Sequence, residues 1–141
     1  MVFYGDHMWS DRFGTLFDRS KGYPSHNLKD FDTLDNSAAG DILKELDNGS
    51  DFKLMIGHIL GIDSAGHTVG PFHKELERKL RDTSEIIHSI VDKMDPHTTL
   101  IIFGDHGMTN NGDHGGSSEL ELRTILFAHQ KTPFPMHEHR D

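Results

Sequence analysis

Five residues of this 141-residue chain are of the types that hold metal ions, and their spacing groups them. Asp63 and His67 stand four apart. Asp105 and His106 are adjacent, and His114 follows eight residues later. Carboxylate oxygen and imidazole nitrogen suit Zn²⁺, and also Mn²⁺ or Fe²⁺. An Asp and a His one turn apart, just after a strand, can converge on one ion. Adjacent residues diverge along a strand, so Asp105 and His106 need a turn at the strand tip to aim both inward. Gly104, Gly107, Gly112, Gly115 and Gly116 permit such turns. The plainer alternative is that Asp63 and Asp105 cap turns or helices while the histidines lie on the surface. All five residues at neighbouring strand ends, embedded in glycine-rich turns, favour a metal site over that alternative. His58, inside an apolar run, reads as a hydrogen-bonded core histidine, and His73 as a surface residue. His7, His26, His88, His97, His129, His137 and His139 have no supporting pattern. Asp6 and Trp9 read as scaffold.

The elements that must position these residues follow from hydrophobic periodicity. Leu100 to Phe103 is four apolar residues, the pattern of a buried strand, and it delivers Asp105 and His106. Phe52 to Leu60 reads as a second buried strand, exiting through Gly61 to His67. Open α/β sheets place binding sites at such carboxyl ends. Leu34, Ala38, Ile42 and Leu46 recur every four residues, the stripe of an amphipathic helix. Asp32 or Thr33 is its expected N-cap and Asn48-Gly49 its end. Asn48-Gly49-Ser50 is also a glycosylation sequon, although a plain turn accounts for it equally well. A long helix is expected to start at Gly70-Pro71 and to stop at Asp95-Pro96. Its core face would be Leu76, Leu80, Thr83, Ile87, Ile90 and Met94. Glu75 with Lys79, and Glu77 with Arg81, are expected ion pairs on its outer face. Val2 to Tyr4 reads as a short strand whose partners come from elsewhere. Met8 to Phe17 reads as a helical turn or packed loop, Ser20 to Asp30 as a loop, and Leu122 to Ala128 as a last strand. The expected fold class is α/β, a mostly parallel sheet flanked by helices.

Composition narrows the function classes. Net charge is −9 with His neutral, which disfavours binding to nucleic acid. There is no cysteine, hence no disulfide or thiolate metal site. Only 34% of residues are apolar, a hint of a part of a larger domain. No apolar run approaches the roughly 18–20 residues of a membrane span, and no signal-peptide pattern follows Met1, so the chain by itself is expected to be soluble.

Together these motifs resemble a known family. His58-Ile59-Leu60-Gly61-Ile62-Asp63 with Gly66-His67, Gly70-Pro71, Gly104-Asp105-His106-Gly107-Met108-Thr109, and Asn111-Gly112-Asp113-His114-Gly115-Gly116 with Ser118 to Glu121 resemble the GPI ethanolamine phosphate transferases of the alkaline-phosphatase superfamily. Phe31 to Asn36 and Gly5-Asp6 to Trp9 fit the same pattern. Asp113 matches the members that act on the third mannose, where relatives for other mannoses tend to have Ser. The resemblance implies an alkaline-phosphatase-like fold over residues 1–135, the C-terminal part of a catalytic domain, followed by a divergent tail at 136–141. It implies a two-zinc centre, with manganese as an alternative: Asp63, His67 and His114 on one ion, Asp105 and His106 on the other. It implies transfer of ethanolamine phosphate from phosphatidylethanolamine to a mannose of the GPI precursor, through a threonine nucleophile. It also implies a domain facing the lumen of the endoplasmic reticulum, tied to the membrane by spans outside this chain, and a small membrane-subunit partner. The family's nucleophile and first metal Asp have no matching residue here. Thr15, Thr33, Thr68 and Thr109 do not match by motif, so the chain is expected to be an incomplete fragment that cannot catalyse transfer alone. The alternatives are a non-catalytic zinc-binding fragment and another phosphodiesterase or phosphomutase of the superfamily.

Overall fold

A computed structural model describes residues 1–49 and 51–133. Ser50 of the sequon, Phe134-Pro135 and the divergent tail 136–141 lie outside the described residues. The architecture is α/β, a three-stranded parallel sheet flanked by helices, with a separate two-stranded ribbon.

The first strand, β1 (Val2–Asp6), is the centre of the sheet and is buried throughout. Its partners are internal to the chain, contrary to expectation. β2 (Arg19–Tyr23) pairs parallel on one side and β3 (Met55–Gly57) on the other. β2 falls in the stretch read as loop because its sequence, RSKGY, is polar. As a largely exposed edge strand it can carry such side chains, and charge on an edge discourages wrong pairing. β3 is shorter than the Phe52 to Leu60 run that suggested it.

The alternation of β1 sends Val2 and Tyr4 to one face and Phe3 to the other. Val2 and Tyr4 meet Ala38 and Ile42 of α2 (Thr33–Asp47), joined by Leu46, Met55 and Ile90. This is the stripe anticipated from the four-residue recurrence. Phe3 stacks on Phe17 and Trp9, with centroids 5.1 and 6.3 Å apart. Trp9 belongs to α1 (His7–Phe13), whose N-cap Asp6 accepts from the Met8 amide and the Ser25 hydroxyl, both at 3.0 Å. Met8 to Phe17 is thus a helix followed by a 3₁₀ turn. The α2 cap differs from expectation. Asp32 is the N-cap residue, but the acceptor is Asp30, whose Oδ1 takes the Thr33 and Asp32 amides at 3.0 and 3.2 Å. Asn48-Gly49 ends α2, with Gly49 at φ +59°.

The Gly61 to His67 exit is a helix, α3 (Gly61–Val69). The long helix α4 (Lys74–Lys93) starts four residues later than the Gly70-Pro71 signal. Its N-cap is His73, exposed as expected, and its Nδ1 accepts from the Glu75 amide at 3.2 Å. Glu77 and Arg81 pair as expected. Glu75 and Lys79 do not: Glu75 pairs with Arg78, while Lys79 turns inward and is buried. Leu80, assigned to the core face, is 52% exposed. His58 is half-buried against Trp9, but its Nδ1 has no hydrogen-bond partner.

β4 (Leu100–Phe103) is a strand as anticipated, but it does not join the parallel sheet. It pairs antiparallel with β5 (Leu126–His129), which starts later than the expected Leu122 to Ala128 strand and follows a short helix α5 (Glu119–Leu122). Ile101 and Phe103 are exposed, as are Leu122, Ile125, Leu126 and Phe127. Lys131 ties the ribbon to the end of α4, donating to the carbonyls of Asp92 and Met94 at 2.9 and 2.8 Å. A cation is favoured there by the helix dipole. No helix among the described residues is long and apolar enough to cross a membrane.

Candidate metal centre

α3 places Asp63 and His67 one turn apart, so both side chains leave the same helix face. The opposite wall is the loop between β4 and α5, and glycine brings it close. A Cβ on Gly66 would collide with the Met108 thioether, and one on Gly112 would strike the Gly66 carbonyl. Gly112 also sits at φ +84°, a conformation other residues rarely adopt. The loop is closed on itself by Thr109: its amide donates to the Asp113 carbonyl at 2.8 Å, and its hydroxyl accepts from the Asp113 amide at 3.1 Å.

Glu121 anchors the far end. Its carboxylate accepts from the amides of Gly116 and Ser118 at 2.7 and 3.1 Å, completing a capping box with Ser118. Hydrogen bonds from the Ser118 hydroxyl and these amides hold its carboxyl below the usual range. The Gly107 amide donates to the Glu121 carbonyl at 2.7 Å, fixing the near end of the loop as well.

The result is a convergence of three ligand-type residues. Asp63 Oδ1 lies 3.2 Å from His114 Nε2 and 3.5 Å from His67 Nε2. One ligand atom from each of the three lies within 4.8 Å of the others. Asp63 Oδ1 is buried and has no hydrogen-bond donor. Leaving such an oxygen unsatisfied costs about 1–3 kcal/mol or more for a charged group, and a cation between it and the two imidazoles removes that cost. The donor set fits a divalent metal of the zinc type. His67 Nδ1 faces Asp113 Oδ1 at 3.8 Å, too far for a direct hydrogen bond.

Asp105 and His106 are arranged differently. They follow β4 at the end of the ribbon, not beside β3 in a common sheet, and the ligand-bearing segment after β3 is helical. His106 stacks on His114, with centroids 3.6 Å apart, and its Nδ1 lies 2.8 Å from the Gly107 carbonyl. Asp105 is exposed, 3.6 Å from His106 Nε2. Among the described residues, Asp63, His67 and His114 are the one set of three gathered closely enough for an ion. Asp105 and His106 are adjacent to that set through His114 but do not form a second set.

Several contributors carry little signal in the sequence. In the sequence Asp113 is a motif position with no sign that it faces His67. Nothing there marks Met108 as the packing partner of Gly66 either. Glu121 had a readable signal, the Ser-x-x-Glu capping-box spacing from Ser118.

Curated relatives and a family model give this geometry a context. The chain is 41% identical over 132 residues to the GPI ethanolamine phosphate transferase 3 catalytic subunit of Homo sapiens, covering 94% of this chain and 12% of that protein. It is 39% identical over 132 residues to GPI ethanolamine phosphate transferase 3 of Saccharomyces cerevisiae, covering 93% of this chain and 13% of that one. It is 34% identical over 129 residues to GPI ethanolamine phosphate transferase 2 of Yarrowia lipolytica, covering 91% and 15%. The chain thus spans a small part of the length of these relatives. No solved structure matches it. The model of the type I phosphodiesterase / nucleotide pyrophosphatase family, which fits the alkaline-phosphatase superfamily, matches residues 3–129. That span runs from the central strand through α3 and the histidine loop to the last strand, and on it the chain belongs to the type I phosphodiesterase / nucleotide pyrophosphatase family.

Proposed function

We propose that this chain is part of the catalytic domain of a metal-dependent phosphoethanolamine transferase of GPI-anchor biosynthesis, and that Asp63, His67 and His114 hold one of its ions. The carrying observation is the buried, donorless Asp63 Oδ1 facing two imidazole nitrogens. Similarity to GPI ethanolamine phosphate transferases over some 94% of the chain supports the reaction class. The ion is zinc, which suits one carboxylate and two imidazoles, with manganese as the second choice. Asp105 and His106 contribute to a second ion with ligands from outside this chain.

In this reading the donor is phosphatidylethanolamine and the acceptor is a mannose of the GPI precursor, the third one. The domain works on the lumenal side of the endoplasmic reticulum membrane, beside a small membrane subunit. A bound metal supplies charge for the transferring phosphoryl group. This chain's own part is to hold the two imidazoles and one carboxylate in a fixed array through α3 and the Glu121-anchored loop. Residues 1–135 are one portion of a larger domain, and the exposed apolar side chains of the β4–β5 ribbon support that.

The threonine nucleophile of the family has no counterpart by motif here, so the isolated chain binds metal but transfers nothing. The test is an assay of ethanolamine phosphate transfer with the purified chain, beside a zinc titration. Zinc binding without transfer is the expected result; transfer at a normal rate contradicts the fragment reading. The family description favours one second reading, a nucleotide phosphodiesterase. Turnover of nucleotide diesters in place of ethanolamine phosphate donors, by a protein completed with the missing part, would select it.

A further inference from the structure

α3 carries two of the three ligands, yet its own N-cap residue, Leu60, offers no side-chain acceptor. The first amides of a helix need partners. Here the partner comes from another helix. Asp35, in the first turn of α2, accepts the Leu60 amide on Oδ1 at 2.8 Å and the Gly61 amide on Oδ1 and Oδ2 at 3.1 and 3.2 Å. Lys79 of α4 holds the same carboxylate, with Nζ 2.9 Å from Asp35 Oδ2 and 3.2 Å from Asp32 Oδ1. The Asp35 and Lys79 side chains are each 1% exposed. Arg78 fixes Asp32 in turn, Nη1 donating to Oδ1 and Nη2 to Oδ2, both at 3.1 Å.

Three helices therefore meet at one buried ion pair, and the element that pair grips is the backbone two residues before Asp63. A Cβ on Gly61 would collide with the Asp35 carboxylate, the Lys79 stem and the Phe31 carbonyl, so the contact admits no side chain there. A buried ion pair is weak evidence of stability, because desolvation offsets the attraction, but its directional bonds fix geometry. Coordination geometry depends on such outer supports.

We propose that Asp35 is a positioning residue for the metal site: by accepting the Leu60 and Gly61 amides it sets the start of α3 and so places Asp63 against His67 and His114. This rests on the metal-binding reading above. Lys79→Met combined with Asp35→Asn removes both charges but keeps an acceptor for the Leu60 and Gly61 amides. Lys79→Met with Asp35→Ala removes the acceptor too. Zinc affinity is measured by calorimetry on the folded fraction of each, with Ile42→Ala, two turns beyond Asp35 on α2, as a core variant. The first pair and Ile42→Ala should bind zinc as the unmodified chain does, and the second pair about 10- to 100-fold more weakly. Equal affinity in all four proteins would overturn the proposal. Amide exchange on the unmodified chain provides a measurement independent of folding in the variants. Zinc should slow exchange at Leu60 and Gly61, since coupling is reciprocal. Binding through His67 and His114 with no change there overturns the positioning role alone. No zinc binding by the unmodified chain overturns the metal-site reading, and this proposal with it.

Discussion

Asp63 Oδ1 and His114 Nε2 lie 3.2 Å apart, brought together from a helix and a loop on opposite sides of the site. Asp63→Asn keeps the shape and removes the charge. Zinc affinity should fall by at least about tenfold, since a neutral amide is a poor ligand and charge drives binding. Acidification should weaken binding in the unmodified chain, because protons compete for the two imidazoles. Calorimetry across a pH series checks both effects.

The approach of the loop to α3 depends on two glycines. Gly112→Ala meets both an unfavourable φ of +84° and the Gly66 carbonyl. It should cost about 1–3 kcal/mol. Gly66→Ala meets only the Met108 side chain, whose end can rotate away. Its cost should be the smaller of the two. Urea denaturation of both variants gives the comparison, and the reverse order would contradict this packing.

Tyr4 donates to Glu45 Oε1 at 2.6 Å within the core. Burial first, then this hydrogen bond and the Glu45 charge, push its hydroxyl from 10.0 up to about 12. A raised value means the folded state holds the proton more tightly. The contribution is therefore complete below pH 10 and lost as pH rises through about 12. Tyr4→Phe should cost about 1 kcal/mol at neutral pH and flatten that alkaline decline. Thermal midpoints from pH 8 upward test this.

The β4–β5 ribbon leaves Phe103 66% and Leu126 77% exposed. Apolar surface of this kind associates unless covered. Leu126→Lys should lower self-association and dye binding of the isolated chain while leaving zinc affinity unchanged. Light scattering alongside the zinc titration tests this. An unchanged aggregation profile would count against a covered ribbon in a larger domain.

What the sequence revealed depended on whether the signal was local. The α2 stripe of Leu34, Ala38, Ile42 and Leu46 was readable because burial on one face imposes a helical period. β2 was not, since Arg19, Ser20 and Lys21 form a strand only because β1 offers a free edge. Lys79 sits at ideal spacing from Glu75, but a buried carboxylate on another helix outcompetes that surface pairing. The ligand types and turns were legible from Asp63 to His114. The setting was not: Asp63 and His67 leave a helix, and Asp105 and His106 end a ribbon strand instead of a neighbouring strand of one sheet. Spacing announces which residues can coordinate, whereas convergence depends on close approach at Gly66 and Gly112 and on the reach of Glu121 and Asp35.

The most direct test of the central claim is a zinc titration of the intact chain followed through its imidazole ¹⁵N resonances. Of the 12 histidines, only a few should respond. The account predicts saturation at about one equivalent, with Nε2 of His67 and His114 shifting as metal-bound nitrogens. Binding at other histidines while these two stay unchanged, or no binding at all, would contradict it.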